Sequence, residues 1–271
     1  MRIDTGAIAF NVSLDGRPRD DAAAPWLVFS NSLATDLTLW DGQVARFGDR
    51  FRILRYDTRG HGGTTASAPP YSFDLLCADA IALLDAIGIE RAHWVGLSLG
   101  GSTGIGLALD HPDRLASLAV CDARAHKDAA FVLAWRDRIA TVEAEGMTGV
   151  IDSTMARWFT APFLASTDPA DRAAGDRVRR MIRDTAPDGF IGCCRALQAL
   201  DFEARLGEIT LPTLFMAGES DSSCPPAAAR AMHAKVAGSL CIIIDPAAHI
   251  SNIENPAAFD AGLERHFARL G

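Results

Sequence analysis

The sequence predicts an α/β fold with a mostly parallel, doubly wound sheet and an inserted helical cap. Short apolar runs that do not alternate in polarity are typical of strands covered on both faces. Segments with apolar residues at helical spacing lie between these runs, and such alternation indicates βαβ units. The alternation stops after Cys121 and resumes near Leu211, so we interpret the helical patterns between them as an insertion.

Six apolar runs are predicted as strands of the central sheet, at residues 26–30, 52–56, 93–97, 115–121, 213–217 and 240–244. Helical spacing of apolar residues predicts helices at 75–87, 103–109 and 227–236. Residues 8–14 alternate apolar and polar side chains up to a turn at Asp15 and Gly16, which is typical of an edge strand in a hairpin.

The expected domain organisation is a core formed by residues 1–123 and 207–271, with a helical cap at residues 124–206. Helical patterns at 128–145, 147–158 and 170–182 fill the cap, and Pro162 and Pro187 indicate breaks between its helices. A chain of 271 residues, 49% of them hydrophobic, is long enough for one large core with such an insertion.

The charge and the apolar runs exclude several classes of partner. A net charge of −8 disfavours nucleic acid and requires a local cationic site for any anionic substrate. No apolar run approaches the roughly 20 residues of a membrane helix, and the N-terminal residues lack the apolar stretch of a signal peptide. We therefore expect a cytoplasmic protein that acts on a small molecule, with homo-oligomerisation left open.

The six cysteines are scattered, and none forms a pair at metal-ligand spacing. In a chain of this length they are too few for a disulfide scaffold, so we expect free thiols in a reducing compartment. The adjacent Cys193 and Cys194 fit small buried side chains better than a redox site. We expect neither a metal nor a cofactor.

The strongest chemical pattern is Gly96-Leu97-Ser98-Leu99-Gly100, between an apolar strand and a helix. This is the G-x-S-x-G context of a nucleophile turn. A turn this tight strains the backbone of the serine and excludes side chains at the flanking glycines. Taken alone, the motif also fits an ordinary strand-to-helix turn, but with its partners it predicts Ser98 as the nucleophile.

An acid and a histidine follow Ser98 in the chain order that this architecture requires. Asp221 follows the predicted strand 213–217, where the carboxyl end of a parallel strand opens into the ligand crevice. His249 lies in the loop after the strand 240–244 and is the predicted general base. Glu219 is the alternative acid.

The remaining histidines fit the base role less well. His93 begins a strand, and His233 and His266 are expected at exposed helix positions. His126, near the entrance to the cap, is the remaining candidate for substrate contact.

Acyl transfer also needs two backbone N–H donors directed at the oxyanion. One is predicted at Leu99, directly after the nucleophile, and the other at Leu33, in the loop after the first central strand. The alternative for the loop at Leu33 is an ordinary turn with a capping serine.

Residues 55–62 resemble a phosphate-binding or metal motif only superficially, because they lack the G-K-[ST] ending and any partner ligands. We interpret them as a structural turn held by glycines and by a hydrogen bond of Asp57 or Arg59.

Across nearly its whole length the chain resembles the α/β-hydrolase superfamily, and within it the 3-oxoadipate enol-lactonases of aromatic catabolism, in the β-ketoadipate pathway. The resemblance rests on core segments 30–33, 56–62, 96–101 and 249–254, and on cap segments 138–142, 146–147, 157–160 and 189–194. It implies the α/β-hydrolase fold and hydrolysis of a carboxylated lactone through an acyl-enzyme.

Two segments depart from the lactonase pattern. Ser222-Ser223-Cys224-Pro225-Pro226 replaces a segment that is Ala-Thr-Pro-Pro in the lactonases, and residues 121–127 add charge at the cap entrance. A related lactone or ester with a different acidic tail would fit both changes.

The carboxylate of such a substrate needs a cationic partner, for which an arginine fork is the favoured geometry. Arg138 follows Trp135 by about one helical turn, so both are predicted to face the site from the cap. Trp158 is predicted in the apolar wall of the pocket. The alternative is a core tryptophan beside a surface arginine, with Trp158 in plain cap packing.

Other functions on this scaffold stay open at this point. Among enzymes they are a general carboxylesterase, a hydrolase of carbon–carbon bonds and a cofactor-free perhydrolase. A small-molecule receptor without turnover is the alternative outside enzymes, because a fold alone does not determine function.

Overall fold

The structure is a computed structural model that describes residues 1–270. Its strands are β1 (Arg2–Asp4), β2 (Ala9–Gly16), β3 (Trp26–Ser30), β4 (Arg52–Tyr56), β5 (Ala92–Leu97), β6 (Leu115–Cys121), β7 (Thr213–Gly218) and β8 (Leu240–Ile244). They form one sheet in the order β1-β2-β4-β3-β5-β6-β7-β8. β2 pairs antiparallel with β1 and β4, and the other pairs are parallel. The predicted mostly parallel α/β sheet is therefore confirmed.

The N-terminal hairpin differs from the prediction. β2 continues through Gly16, which pairs with Arg52 of β4, so the predicted turn at Asp15 and Gly16 is wrong. The hairpin partner is instead β1, which precedes β2 and forms the edge of the sheet. A strand of three residues is too short to show a periodic pattern, and this is why the sequence did not predict β1.

Alternating side chains of the central strands fill a hydrophobic core on each face of the sheet. Leu27 and Phe29 of β3 join Val95 of β5 on one face, whereas Val28 and Trp94 lie on the other. Burial on both faces explains why these strands are continuously apolar in sequence.

Helices cover both faces of the sheet. They are α1 (Asp41–Phe47), α2 (Phe73–Ile87), α3 (Leu99–Asp110), α4 (Ala129–Glu145), α5 (Ile151–Trp158), α6 (Ala161–Leu164), α7 (Pro169–Asp184), α8 (Pro187–Ala199), α9 (Pro226–Lys235), α10 (Ser251–Glu254) and α11 (Pro256–Phe267). Within residues 1–270, none of the helices is both long enough and apolar enough to cross a membrane.

The chain between β6 and β7 carries α4 to α8, and we propose it as the cap at residues 124–206. Its two ends are joined by an isolated bridge between His126 and Asp201, so the segment leaves and re-enters the core at one place. The predicted helix 147–158 is divided into a 3-10 turn and α5, and Pro187 begins α8, a helix that the apolar pattern did not reveal. Proline suits this position because the first helical N–H has no partner.

The turn after β4 has a structural role, as expected. The buried carboxylate of Asp57 accepts hydrogen bonds from the N–H groups of Leu37 (2.6 Å) and Gly63 (2.8 Å). The guanidinium of Arg59 forms a buried ion pair with Asp79 of α2. These bonds hold the loop on which the cap rests.

The cap contacts this loop through two glycines. A Cβ atom at Gly189 of α8 would lie 2.3 Å from the carbonyl oxygen of Gly60. Such a distance is far inside van der Waals contact, so only glycine permits the approach.

We expect Gly189→Ala to destabilise the protein by about 1–3 kcal/mol, because the added methyl group overpacks the contact. The matched control is Gly175→Ala in α7, where no atom of residues 1–270 lies within 4 Å of the added Cβ. That change should stabilise the protein by about 0.5–1 kcal/mol through helix propensity. Urea denaturation of both variants measures the difference, and equal effects of the two substitutions would contradict the packing argument.

Candidate active site

The turn between β5 and α3 holds Ser98 in a strained backbone conformation, with φ 54° and ψ −112°. A Cβ atom at Gly96 would lie 2.1 Å from the carbonyl oxygen of Gly100, and one at Gly100 would lie 2.3 Å from that of Ser30. The glycines are therefore required by close backbone approach, as the motif predicts. The turn presents the hydroxyl of Ser98 at the carboxyl edge of the sheet.

Three side chains from separate loops form a hydrogen-bonded row at this edge. Ser98 Oγ lies 3.0 Å from His249 Nε2, and His249 Nδ1 lies 2.8 Å from Asp221 Oδ2. With a neutral imidazole, Nδ1–H donates to Asp221 and Nε2 accepts the hydroxyl proton of Ser98. The structure thus brings the predicted nucleophile, base and acid into the geometry of an activated serine.

The carboxylate of Asp221 is fixed by its own loop. Its Oδ1 accepts hydrogen bonds from the N–H groups of Ser223 (2.7 Å) and Cys224 (2.9 Å), which leaves Oδ2 for His249. The alternative acid, Glu219, is exposed to solvent. The geometry therefore favours Asp221.

His249 is buried, and two opposing effects act on its basicity. Burial lowers the pKa of the imidazole, but the negative charge of Asp221 and its hydrogen bond outweigh burial and raise the pKa above its ordinary value. A base of this kind is strong enough to accept a proton from a serine hydroxyl near neutral pH.

Two backbone N–H groups close to Ser98 are available for an oxyanion. Leu33 lines the cavity beside Ser98, and Leu99 is the first residue of α3. In the described residues 1–270, neither N–H donates to a protein acceptor, whereas the N–H of Gly100 is bound to Asn31. The predicted pair of donors is thus compatible with an oxyanion hole.

A cavity of about 300 Å³ lies between the sheet edge and the cap. Ser98 and His249 contribute to its floor, and all three predicted cap residues line it: Trp135, Arg138 and Trp158. The ring of Trp158 stacks at a tilt over His249, with 6.0 Å between the ring centroids. The structure therefore brings the predicted binding residues, Ser98 and His249 to one cavity.

The cavity is cationic at the cap side, although the protein is acidic as a whole. Arg138 stacks on the ring of Trp135 at 4.3 Å, and Arg157 donates to Thr154 Oγ1 at 3.1 Å. Within the described residues neither guanidinium is paired with a carboxylate. Burial, and then the charge of Arg138, lower the pKa of Arg157 to about 10. Two adjacent half-buried cations are costly unless an anion joins them.

Arg157, Arg124 and Ser32 also line the cavity, and the sequence analysis did not predict them as site residues. Arg157 lies one helical turn after Thr154 in α5, and its place directly before the predicted Trp158 could have marked it as a candidate. The hydroxyl of Ser32 is buried without a hydrogen-bond partner in the described chain. Its position beside Ser98 in the structure identifies Ser32 as a site residue, and no sequence pattern would have done so.

The other histidines lie outside the site. His126 contacts Glu203 at 3.5 Å and does not line the cavity. His266 was expected at the surface but is buried, because it follows Phe259 and Leu263 along the stripe of α11 that faces the core. Burial lowers its pKa to about 4.

One group of side chains has the composition of a metal site: Asp221, Cys224 and His249, whose ligand atoms lie within 4.8 Å of one another. Two of the three are already hydrogen-bonded to each other. Burial raises the pKa of Cys224 well above its ordinary value, so its thiol stays protonated. Because metal ligation requires a thiolate, this set does not favour a metal.

Comparisons with known proteins bear on the fold and the family of the chain. Residues 25–256 match the family model described as alpha/beta hydrolase fold. 3-Oxoadipate enol-lactonase 2 of Acinetobacter baylyi is 34% identical over 265 residues, which cover 97% of this chain and 96% of that protein. The enol-lactonase structure from Burkholderia xenovorans LB400 is similar with a TM-score of 0.93 at 34% identity, covering 99% of this chain and 100% of that one. A hydrolase from Pseudomonas aeruginosa PA01 has a TM-score of 0.89 at 34% identity, covering 96% and 94%.

If the hydrogen-bonded row activates Ser98, a fluorophosphonate probe should label the protein at that residue alone. We expect Ser98→Ala to abolish labelling and Ser117→Ala, a buried serine of β6 outside the cavity, to retain it. The labelling rate should fall as the pH drops through the pKa of His249, which is raised above its ordinary value, because the protonated imidazole cannot accept the hydroxyl proton. Intact-protein mass spectrometry across a pH series measures both effects, and labelling of Ser98→Ala would contradict the assignment.

Proposed function

The chain belongs to the α/β-hydrolase fold family, and from that premise we propose that it hydrolyses a carboxylated lactone through an acyl-enzyme on Ser98. The substrate is 3-oxoadipate enol-lactone or a close relative. The observation that carries the proposal is the Ser98–His249–Asp221 row in a cavity that also holds two arginines without a carboxylate partner in the described chain. Relatives named as enol-lactonases at 34% identity support the same chemistry.

Acylation begins when Ser98 Oγ attacks the lactone carbonyl carbon and His249 Nε2 takes the hydroxyl proton. Asp221 holds the imidazole in the required tautomer and stabilises its charge. The N–H groups of Leu33 and Leu99 stabilise the tetrahedral oxyanion. When the ring carbon–oxygen bond breaks, the leaving enolate oxygen accepts the proton from His249.

Deacylation repeats the same steps with water as the nucleophile. His249 takes a proton from the water that attacks the acyl carbon, and the bond to Ser98 breaks as Oγ regains a proton. The product leaves as a dicarboxylate whose enol becomes the ketone. No step needs a metal or a cofactor.

Recognition of the substrate carboxylate is assigned to the cap. Arg138 and Arg157 lie side by side in the cavity wall, and an anion between them would relieve their mutual repulsion. The indole N–H of Trp135, buried without a partner in the described chain, is a further donor at the same wall. The proposal places the protein in aromatic catabolism through the β-ketoadipate pathway, as a cytoplasmic enzyme.

The second candidate is a general carboxylesterase. It is favoured by the apolar part of the cavity wall, where Phe131, Trp158 and Leu197 could accept a neutral acyl chain. The two candidates share the reaction on Ser98 and differ in whether a substrate carboxylate is needed.

A panel of lactones and p-nitrophenyl esters, with and without a second carboxylate, separates the candidates. We expect the carboxylated lactone to have the highest kcat/KM, and Ser98→Ala to reduce kcat by about 10⁵-fold or more, because the members of such a row act as one unit. Near-normal turnover by Ser98→Ala would exclude the mechanism, whereas a preference for neutral esters would favour the carboxylesterase.

The arginine assignment predicts a selective loss of binding. Arg138→Gln should raise KM for the carboxylated lactone about tenfold to hundredfold, as expected when one charged hydrogen-bonding partner is removed. A neutral ester should keep its KM. The control is Arg136→Gln on the same helix, where the side chain is exposed and forms an ion pair with its neighbour Asp137. Steady-state kinetics on both substrates measure the effect, and equal KM changes for both would contradict carboxylate binding.

A further inference from the structure

The lining of the cavity carries more positive charge than one substrate carboxylate can match. Three guanidinium groups line it, those of Arg124, Arg138 and Arg157, and within residues 1–270 the only carboxylate in the lining is that of Asp128. One bound carboxylate would leave a positive charge unmatched, which is costly in a partly enclosed site. The oxyanion does not change this balance, because the imidazolium of His249 forms together with it.

Arg124 is held in place at the start of the cap. Its carbonyl accepts the hydroxyl of Ser102 on α3 at 2.9 Å, and its side chain is only 13% exposed. The guanidinium carbon lies 4.4 Å from the ring centroid of Phe131, which also lines the cavity. Stacking of this kind uses the face of the guanidinium, so the N–H donors along its edges stay available for hydrogen bonds.

Asp128 occupies only part of this donor capacity. Arg124 Nη2 donates to Asp128 Oδ2 at 3.2 Å, whereas Arg124 Nε is buried without a hydrogen-bond partner in the described chain. Asp128 Oδ1 accepts the N–H of Phe131 at 2.7 Å and thereby caps α4. Because the side chain of Asp128 is 51% exposed, its ion pair with Arg124 is weak. An incoming anion can therefore share the guanidinium with Asp128.

The pair lies at the mouth of the cavity. Among the lining residues, Asp128, Ala130 and Ser222 are exposed to solvent and so mark the opening. The largely buried side chain of Arg124 lies directly inside this opening, in contact with Asp128. A substrate group near the mouth would therefore meet Arg124.

Arg124 also lies close to the loop that carries Asp221. Burial, and then the charge of Asp221, raise the pKa of the Cys224 thiol in this loop, whereas the charges of Arg124 and Arg138 lower it. Both guanidinium groups are therefore near the same loop, although Arg124 precedes α4 and Arg138 belongs to it. A substrate held at Ser98 could thus contact the two arginines through two different groups.

We propose that Arg124 is a specificity-determining residue that binds a second substrate carboxylate near the mouth of the cavity. Arg138 and Arg157 bind the first carboxylate, and Ser98 attacks the acyl group. The substrate class is then a lactone with two carboxylates in addition to the ester bond that is cleaved. The inference rests on the proposed function, because it assigns further substrate groups around the same reaction.

Two matched product analogues test this assignment without turnover. Glutarate has the two carboxylates that hydrolysis of a lactone with one carboxylate produces, and tricarballylate has the same carbon chain with a third carboxylate. Isothermal titration calorimetry with the wild-type protein gives both Kd values. We expect tricarballylate to bind at least about tenfold more tightly, because it gains one charged hydrogen-bonding partner. Equal affinities would overturn the proposal.

Arg124→Gln should remove this preference. Its Kd for tricarballylate should rise about tenfold or more, while its Kd for glutarate should change by less than about twofold. The control is Lys127→Gln, which removes the same charge from the same segment, outside the cavity, where Lys127 pairs with Asp201 at 3.3 Å. The control should keep the preference. An equal loss in both variants would show a long-range effect of charge and would contradict contact with Arg124.

Asp128→Asn changes the same site in the opposite direction. Asparagine is as good an N-cap as aspartate, so α4 should keep its cap while the carboxylate that competes for Arg124 is removed. We expect the preference for tricarballylate over glutarate to increase about threefold or more. An unchanged preference would show that the third carboxylate does not meet Arg124, and it would count against the proposal even if Arg124→Gln failed to fold.

The two proposals can fail separately. If no lactone or ester is cleaved and Ser98 is not labelled, the proposed function is wrong, and a preference for tricarballylate that depends on Arg124 still supports the second carboxylate site. If a lactone with one carboxylate is cleaved but tricarballylate binds no better than glutarate, the proposed function stands and the role of Arg124 is overturned.

Discussion

The site depends on one constraint, the backbone of Ser98 at positive φ between β5 and α3. A non-glycine residue in such a conformation costs of the order of 1–3 kcal/mol, and it persists only where the surroundings determine it. Here the N–H of Ser98 donates to Cys121 of β6, and that of Gly100 donates to Asn31 after β3. Both neighbouring strands therefore bind the turn. The stability of the buried sheet offsets the backbone strain of Ser98 and keeps its hydroxyl within hydrogen-bonding distance of His249.

Charge is divided between the two sides of the cavity. On the sheet side, the buried carboxylate of Asp221 is hydrogen-bonded to His249, and that of Asp122 is hydrogen-bonded to Gly218 and Ser251. On the cap side, Arg138 and Arg157 form the cationic wall. Such a division suits a substrate with an anionic tail and a reacting carbonyl, because the tail is attracted to the cap while positive charge develops only on the imidazole. The net charge of −8 gives no indication of this local arrangement.

Much of the fold was predictable because the apolar pattern that indicates each strand or helix lies within one short segment of the sequence. The run Leu240–Ile244 is continuously apolar, and the structure gives β8 the same bounds. The chain order of Ser98, Asp221 and His249 likewise follows from motifs at strand ends. The buried carboxylate of Asp122, which follows β6 and accepts hydrogen bonds from Gly218 and Ser251, was not predictable in this way, because in sequence an acid after an apolar strand has the same appearance as Asp221. Which acid meets the histidine depends on how the loops converge in space, and sequence periodicity carries no such information.

The loop that supplies His249 also anchors the cap. The N–H of Ile250 donates to the carbonyl of Trp158 at 3.1 Å, and Glu254 accepts hydrogen bonds from both the N–H and the hydroxyl of Thr160. The same carboxylate accepts the N–H of Ala248, directly before the histidine. A displacement of α5 would therefore also displace His249, the proposed base, together with the proposed substrate-binding wall. Since a catalytic group must be held to within a fraction of an ångström, these bonds would link the proposed substrate binding in the cap to the proposed proton transfer at His249.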